Sequence, residues 1–358
     1  MIRLIRARID THALRSNLAV IRAAAPGRRV LAVIKANAYG HGLVPVALAL
    51  ATVDAFAVAR IEEAAALRGA GITQPIVLLE GIVNAGQLAE AAHLQLDLVV
   101  HDPMQIALLE QYRGSQPFAL WLKVDTGMNR LGVRTSQFQE SWDRLRALQP
   151  SPLALRVLTH LACADERHSA ATAEQLARLA PLVRGRDAEV SIANSAAILA
   201  HPATHADWVR PGLALYGASP FPGEVGRAHG LAAAMTLEST VIAVRQLDSG
   251  ECVGYGAAWR AARRSTIAIL AGGYGDGLLR SLPNGAPVLI KDRRAPLVGH
   301  VSMDMIAVDV TDLPPVAVGE RAELWGSQLP VEEVAAAAGT IPYELLCTVS
   351  QRVPIELA

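Results

Sequence analysis

Between residue 30 and about residue 215 one unit recurs: a short apolar strand, a loop, then an amphipathic helical stretch. The strands read as Val30–Ile34, Ala55–Ala59, Ile76–Leu79, Leu96–Val100, Phe118–Val124, Leu153–Thr159, Glu189–Ala193 and Trp208–Arg210. Val30–Ile34 is apolar throughout and reads as a buried strand, whereas Trp208–Arg210 is the weakest of the eight. Strands alternating with helices predict a parallel α/β sheet, and eight of them over roughly 200 residues argue for a (β/α)8 barrel. An open doubly wound sheet would give the same periodicity, which does not separate the two.

The helical stretches carry their own punctuation. Arg60–Gly71 ends on a glycine suited to a helix C-terminus. Ser136, with Gln139 three residues on, reads as a helix N-cap. Phe138, Trp142, Leu145 and Leu148 then recur at helical spacing and form one buried face. After about residue 228 the texture changes to short β-branched segments, among them Ser239–Val244, Pro287–Ile290, Met305–Val310 and Glu320–Trp325. Turns such as Asp248–Gly250 and Pro283–Gly285 separate them. Short helices are expected at Val331–Ala338 and Tyr343–Leu346. The chain therefore divides at 1–228, the barrel, and 229–358, a mostly β domain, with the first nine or so residues expected to pack against the latter.

Composition removes several function classes. There are 33 basic and 33 acidic residues, so no basic field exists to hold a nucleic-acid backbone or a membrane surface. The opening MIRLIRARID interleaves arginines with apolar residues and is no secretory signal. The apolar stretch from Val44 to Ala59 is broken by Thr52 and Asp54, so nothing is expected to span a bilayer. Three distant cysteines, Cys163, Cys252 and Cys347, fit a reducing cytoplasm better than a disulfide framework.

Barrel enzymes keep their chemistry at the C-terminal ends of strands. Here those ends carry Lys35, Asp125 with Arg130 just beyond it, His160, Asn194 with Ser195, and Arg210. Lys35 stands where an apolar run stops and a polar, glycine-punctuated turn, KANAYGHG, begins. Burial of a lysine disfavours its charge and makes it a nucleophile or base, although a lysine that merely snorkels from a strand end would read the same. Other signals are weaker. AGGYGDG, Ala271–Gly277, resembles a dinucleotide fingerprint but lies in the β-rich half with no βαβ unit, so it reads as a turn. His160, Cys163 and His168 match no strong zinc spacing, and no metal is expected. Ser195 has no nucleophile elbow around it. Asn194 and Ser195 would also serve simply as a helix cap.

Taken together, AVIKANAYGHG, WLKVDTGMNRLG, LTHLACADE, ANSAAIL, WVRPGLALYG, VGYGAAW, GYGDG and VSMDM resemble the pyridoxal-phosphate alanine racemases nearly from end to end. The resemblance implies a (β/α)8 barrel with a C-terminal β domain, a head-to-tail homodimer, and pyridoxal 5'-phosphate as cofactor. It implies that Lys35 carries the cofactor as a Schiff base. Tyr39, Asn194–Ser195, Gly212 and Tyr343 match its phosphate contacts. Arg210, with His160 behind it, matches the donor to the pyridine nitrogen. Arg130 matches the arginine near the phenolic oxygen and the substrate carboxylate, and Lys123 a lysine often carbamylated to hold that arginine. Tyr255 matches a second base delivered by the partner subunit, and Met303 and Asp304 match a partner segment at the substrate carboxylate.

Racemisation needs a base on each face of the α-carbon, which Lys35 and Tyr255 would supply. Arginine cannot give up its proton, so Arg210 would leave the pyridine nitrogen unprotonated and weaken the electron sink. Some positions depart from the family pattern. His300 stands where arginine is usual near the channel, and Leu278 and Leu279 replace an aromatic–proline pair. A barrel-type pyridoxal-phosphate decarboxylase is the main alternative, but Asn194–Ser195 stands where its glycine-rich phosphate loop would be, and Arg210 would weaken the strong sink it needs. A non-catalytic pyridoxal-phosphate carrier would lack the C-terminal domain with Tyr255. A broader-specificity amino-acid racemase stays open, as does the choice between supplying D-alanine to the cell wall and breaking down L-alanine.

Overall fold

The structure is a computed structural model and describes residues 3–358. The chain enters on β1 (Arg6–Ile9), and the strands that follow are β2 (Arg29–Val33), β3 (Ala55–Val58), β4 (Ile76–Leu78), β5 (Asp97–Val100) and β6 (Ala119–Asp125). Next come β7 (Val133–Arg134), β8 (Ala154–Leu158), β9 (Val190–Ser191) and β10 (Trp208–Val209). Their order is β5-β4-β3-β2-β10-β9-β8-β6, and β6 pairs back onto β5. Eight parallel strands thus close into the expected barrel, and the open-sheet alternative falls away. The two-residue β7 pairs with β6 outside that ring. Even the short Trp208–Val209 strand is needed, because it alone joins β2 to β9. The ring is filled from within: β3 and β4 are buried at every residue, and β6 at all but its last.

A second closed sheet follows. It comprises β11 (Met235–Leu247), β14 (Ser265–Ala271), β15 (Pro287–Ile290), β16 (Arg293–Val298), β17 (Met305–Asp309) and β18 (Arg321–Trp325), with a small hairpin of β12 (Cys252–Val253) and β13 (Trp259–Arg260) beside it. Strand order is β14-β17-β16-β15-β18-β11, closed by a β11–β14 pairing. β11 spans 13 residues and shifts register at Leu237/Glu238 and Val241/Ala243. Such irregularities bend a strand and allow one strand to serve both edges of a small closed sheet. β1 and β19 (Ile355–Leu357) extend this sheet, with β1 antiparallel to β11 and parallel to β19. The first strand of the chain therefore belongs to the C-terminal sheet.

Two local readings need correction. Ser136 is not an N-cap: it sits within a 3-10 turn, Thr135–Gln137, ahead of the helix Phe138–Arg146. Gln137 stands at the N-cap position of that helix without a side-chain cap; its Oε1 instead accepts the Arg134 N–H at 3.1 Å and closes the 3-10 turn. The buried face of Phe138, Trp142, Leu145 and Leu148 is as expected. The helix read as Arg60–Gly71 runs Ile61–Gly69, and Gly71 follows it at φ +80°.

Candidate active site

Lys35 does not end a strand. β2 stops at Val33, and Lys35 opens a single helical turn, Lys35–Tyr39, of left-handed sense. Ala36, Asn37, Ala38 and Tyr39 all have φ between 51° and 54°. Four consecutive non-glycine residues in that region each cost roughly 1–2 kcal/mol, so the surroundings must hold the turn. Ala38 N–H donates to Ile34 O at 2.8 Å and Gly40 N–H to Ala36 O at 3.1 Å. Asn37 Oδ1 accepts from Leu43 N–H at 2.9 Å. Gly40 could be nothing else, because a Cβ there would lie 2.1 Å from Leu346 O. Strain of this kind, held by a rigid frame, concentrates at functional sites.

The turn aims Tyr39 inward. Its ring stacks on Tyr216 at 4.7 Å and lies 5.9 Å from Tyr343. A Cβ at Gly212 would come within 2.5 Å of Tyr39 Oη. Burial pushes Tyr39 far above the ordinary tyrosine range and Tyr343 up to about 12, so both are neutral donors. Across from them Asn194 Oδ1 accepts the Ala197 N–H at 3.0 Å and caps the helix Ser195–Ala200. Ser195 Oγ accepts from Gly212 N–H at 2.9 Å and Ala214 N–H at 3.2 Å. Both of its lone pairs are then engaged, and its proton is left to donate. The cap reading and the anion-contact reading of these two residues therefore coexist.

Arg210 is buried and heavily tethered. Its guanidinium donates to Ser191 Oγ (2.8 Å), Thr159 O (2.6 Å), Ile192 O (3.1 Å) and His160 Nδ1 (3.3 Å). Burial lowers it to about 10, still charged at neutrality. His160 accepts from it at Nδ1 and is held neutral by burial and by the surrounding cations Arg210, Lys123, Arg130 and Lys35. Lys123, buried in β6, is lowered from 10.5 to about 8 by burial, then by Arg210, Arg130 and Lys35. Asp125 does not pair with it. That carboxylate accepts from Gly127 N–H (2.9 Å) and Asn129 N–H (3.1 Å) and faces Arg134 at 3.5 Å.

The result is a crowd of like charges. Lys35, Lys123, Arg130 and Arg210 act on one another around a neutral histidine, and among the described residues no carboxylate forms an ion pair with any of them. Such an arrangement favours an anion among them.

The chain matches the family model described as "Alanine racemase, N-terminal domain" over residues 9–220, and "Alanine racemase, C-terminal domain" over 234–357. It belongs to the alanine racemase family. An alanine racemase of Azoarcus sp. (strain BH72) is 51% identical over 344 residues, 96% of each chain. One from Shewanella amazonensis is 45% identical over 356 residues, 98% of each. Among solved structures, a biosynthetic alanine racemase from Pseudomonas aeruginosa superimposes with a TM-score of 0.96 at 44% identity, covering 100% of both chains. An alanine racemase from Bartonella henselae with covalently bound pyridoxal phosphate gives 0.90 at 31% identity, again over 100% of both.

Within this racemase fold, the remaining sequence candidates lie elsewhere on the chain. Tyr255 sits on the turn between β12 and β13, 71% exposed, with no side-chain hydrogen bond among the described residues. Met303 is 52% exposed. Asp304 is held by Arg352, whose guanidinium donates to Asp304 Oδ1 at 2.6 Å. The GYGDG segment is the expected turn: Tyr274 N–H donates to Ser302 O at 2.9 Å and Gly275 N–H to Met303 O at 2.9 Å, so it braces the Ser302–Asp304 loop. Three contributors escaped the sequence reading, namely Tyr216, His41 and Arg352. Tyr216 and His41 lie inside the recognised motifs LALYG and YGHG, which was the only signal available.

Proposed function

We infer that this chain interconverts L- and D-alanine, with pyridoxal 5'-phosphate held covalently on Lys35. The observation that carries the reading is the unpaired cluster of Lys35, Lys123, Arg130 and Arg210, which suits a cofactor bearing a phosphate and a phenolate. The space left by Gly212 for Tyr39 Oη, and the free hydroxyl proton of Ser195, suit the phosphate end, with Tyr343 adding a second neutral donor. When bound, the cofactor supplies the electron sink that acidifies the α-proton of an amino acid. Arg210 can only donate to the ring nitrogen, because its proton is not released near neutrality. Lys35 Nζ would remove or return the proton on one face of the α-carbon, and Tyr255 Oη of a second subunit on the other. Arg130 and the Met303 N–H would fix the substrate carboxylate, with Asp304 keeping the Met303 loop in place through Arg352.

Lys123 fits a carbamate. Lowered to about 8, its amine is partly neutral and can add carbon dioxide, releasing a proton and leaving a carboxylate beside Arg130. That change reverses one charge in the cluster and orients the guanidinium.

Chiral chromatography of a panel of L-amino acids incubated with the purified protein tests the activity. D-alanine should form fastest; equal turnover of larger or basic amino acids would point to a broad-specificity racemase. Borohydride reduction and peptide mapping should place the cofactor on Lys35, and a label on Lys123 or Lys291 would overturn that assignment. The cross-subunit base has its own test, co-expression of Lys35→Ala with Tyr255→Phe. In a two-fold dimer a mixed pair has one site with both lesions and one with neither, so about a quarter of all sites regain activity. Activity no higher than that of either parent, with tagged mixed dimers present, would refute it.

A further inference from the structure

His41 is fully buried two residues beyond Tyr39. Its Nδ1 lies 2.8 Å from Tyr39 O and 3.1 Å from Ala38 O. Two carbonyl oxygens can only accept, so Nδ1 carries the proton and forks between them. Nε2 has no hydrogen-bond partner among the described residues. A proton there would be an orphaned donor in an apolar setting, which fixes the tautomer. Its ring also lies 4.6 Å from Tyr216, whose other neighbour is Tyr39 at 4.7 Å. His41, Tyr216, Tyr39 and Tyr343 form a run of four neighbouring rings, and the Tyr39 hydroxyl lies against Gly212.

The two carbonyls that His41 engages are the last of the left-handed turn. A helical turn ends with unsatisfied carbonyls whatever its hand, and a left-handed turn of ordinary residues has an intrinsic tendency to unwind. Ala38 O also accepts the His41 N–H at 3.1 Å, so backbone and side chain of one residue close the turn together. The turn's first residue is Lys35 and its last is Tyr39. Whatever fixes its end fixes the spacing between the two.

We propose that His41 is a positioning residue: its Nδ1–H caps the strained turn, and its ring supports Tyr216, so that Lys35 and Tyr39 are held ready for one cofactor before it arrives. The proposal rests on the reading that Lys35 and Tyr39 both hold pyridoxal phosphate. It separates His41 from an ordinary core histidine through linkage. A residue that only stabilises the fold lowers the stability of cofactor-free and cofactor-bound protein equally, and leaves affinity unchanged. A residue that prepares the turn weakens the cofactor-bound form more, because the free form can let the turn relax.

The experiment compares three variants by titrating cofactor-free protein with pyridoxal phosphate and by urea unfolding of each form. His41→Phe keeps a ring against Tyr216 and removes the donor. Its dissociation constant should rise about tenfold or more, in line with loss of a buried hydrogen-bond donor, while the cofactor-free protein loses less stability than the bound form. His41→Asn retains an N–H donor near Nδ1 and should stay within about threefold of wild type. In the loaded enzyme the loss in His41→Phe should fall on kcat more than on KM for alanine. If His41→Phe does not fold, His41→Ala against His41→Asn reads the same contrast, with Ala the weaker binder. Unchanged affinity in His41→Phe, or equal weakening in the variants with and without a donor, overturns the proposal. Failure of the underlying site shows separately, as wild-type protein that takes up no pyridoxal phosphate or carries the borohydride label away from Lys35; either result removes this proposal too.

Discussion

The two ends of the barrel treat charge in opposite ways. At the N-terminal end, Arg156 from β8 bridges Glu189 at 2.7 Å and Asp97 at 3.3 Å, and Arg29 pairs with Glu189 as well. Trp208 Nε1 donates to Glu189 at 3.0 Å, and the guanidiniums lie over the indoles, Arg29 at 4.4 Å from Trp208 and Arg156 at 5.0 Å from Trp121. Each of these four charges, Arg29, Asp97, Arg156 and Glu189, has an opposite partner. Burial pushes the Glu189 carboxyl up, but hydrogen bonds from Trp208, Arg29 and Arg156 outweigh it and bring it down to about 2. Asp97 goes the other way, raised because burial outweighs Arg156. At the C-terminal end Lys35, Lys123, Arg130 and Arg210 crowd together, and among the described residues no acid forms an ion pair with them. A barrel that can pair its charges at one end and leaves them unpaired at the other has one end built for stability and one built for an anionic ligand.

Substitutions at the two ends should therefore separate activity from stability. The largest effect is expected from Lys35→Met, which should lower racemisation by about 10⁴-fold or more. It should leave the unfolding free energy of the cofactor-free protein unchanged or raised, since no ion pair is lost. A marked loss of stability would mean that Lys35 is an ordinary structural lysine. The reverse result is expected at the other end. Arg156→Met leaves two partly buried carboxylates short of a partner and should cost about 3 kcal/mol in urea unfolding, with kcat per folded site unchanged. A fall in kcat with stability intact would break the contrast between the ends.

Lys123 gives the smallest and most diagnostic effect. Its pKa falls from 10.5 to about 8 on folding, so between those values the unfolded chain binds more protons than the folded one. Stability then rises with pH across that window, and the cost of the buried ammonium is present in full below it. Cofactor-free protein in bicarbonate-free buffer should gain on the order of 2 kcal/mol as pH climbs from 8 toward 10.5. Lys123→Met should remove that gain and be the more stable protein at neutral pH. Bicarbonate should flatten the wild-type curve if a carbamate forms. A curve indifferent to both would mean that Lys123 is solvated and not part of the cluster.

Much of the site could be read early because barrel strands are buried on both faces and so announce themselves as apolar runs. Once the runs are placed, the residues at their C-terminal ends are fixed by chain order: Asp125, His160, Asn194 and Arg210 all fall there, as does Lys123 within β6. Pairing was not legible. Asp125 is two residues from Lys123, which invites an ion pair, yet residues two apart on a strand share a face only until the strand ends. Asp125 is the last residue of β6, and its carboxylate turns to the Gly127 and Asn129 amides and to Arg134. Ser136 was likewise a sound local signal that lost to Gln137, because the chain enters that helix through a 3-10 turn.

The sequence by itself determined the order and number of barrel strands, the change to a β domain, and the set of side chains at the strand ends, because each follows from periodicity over a few residues. Tertiary structure alone decided that β6 meets β5 and closes the ring; that the first residues pack with the C-terminal domain was expected, but their pairing as β1 with β11 and β19 was not. It also decided the hand of the Lys35–Tyr39 turn. Nothing in Ala-Asn-Ala-Tyr favours positive φ at four consecutive residues, and the local energy opposes it. The turn exists because Gly40 lets Leu346 O approach, Asn37 holds Leu43, and His41 closes the last carbonyls. The approach of Leu346 to Gly40 joins parts of the chain that no sequence window contains, and together with the two nearer contacts it outweighs the local preference.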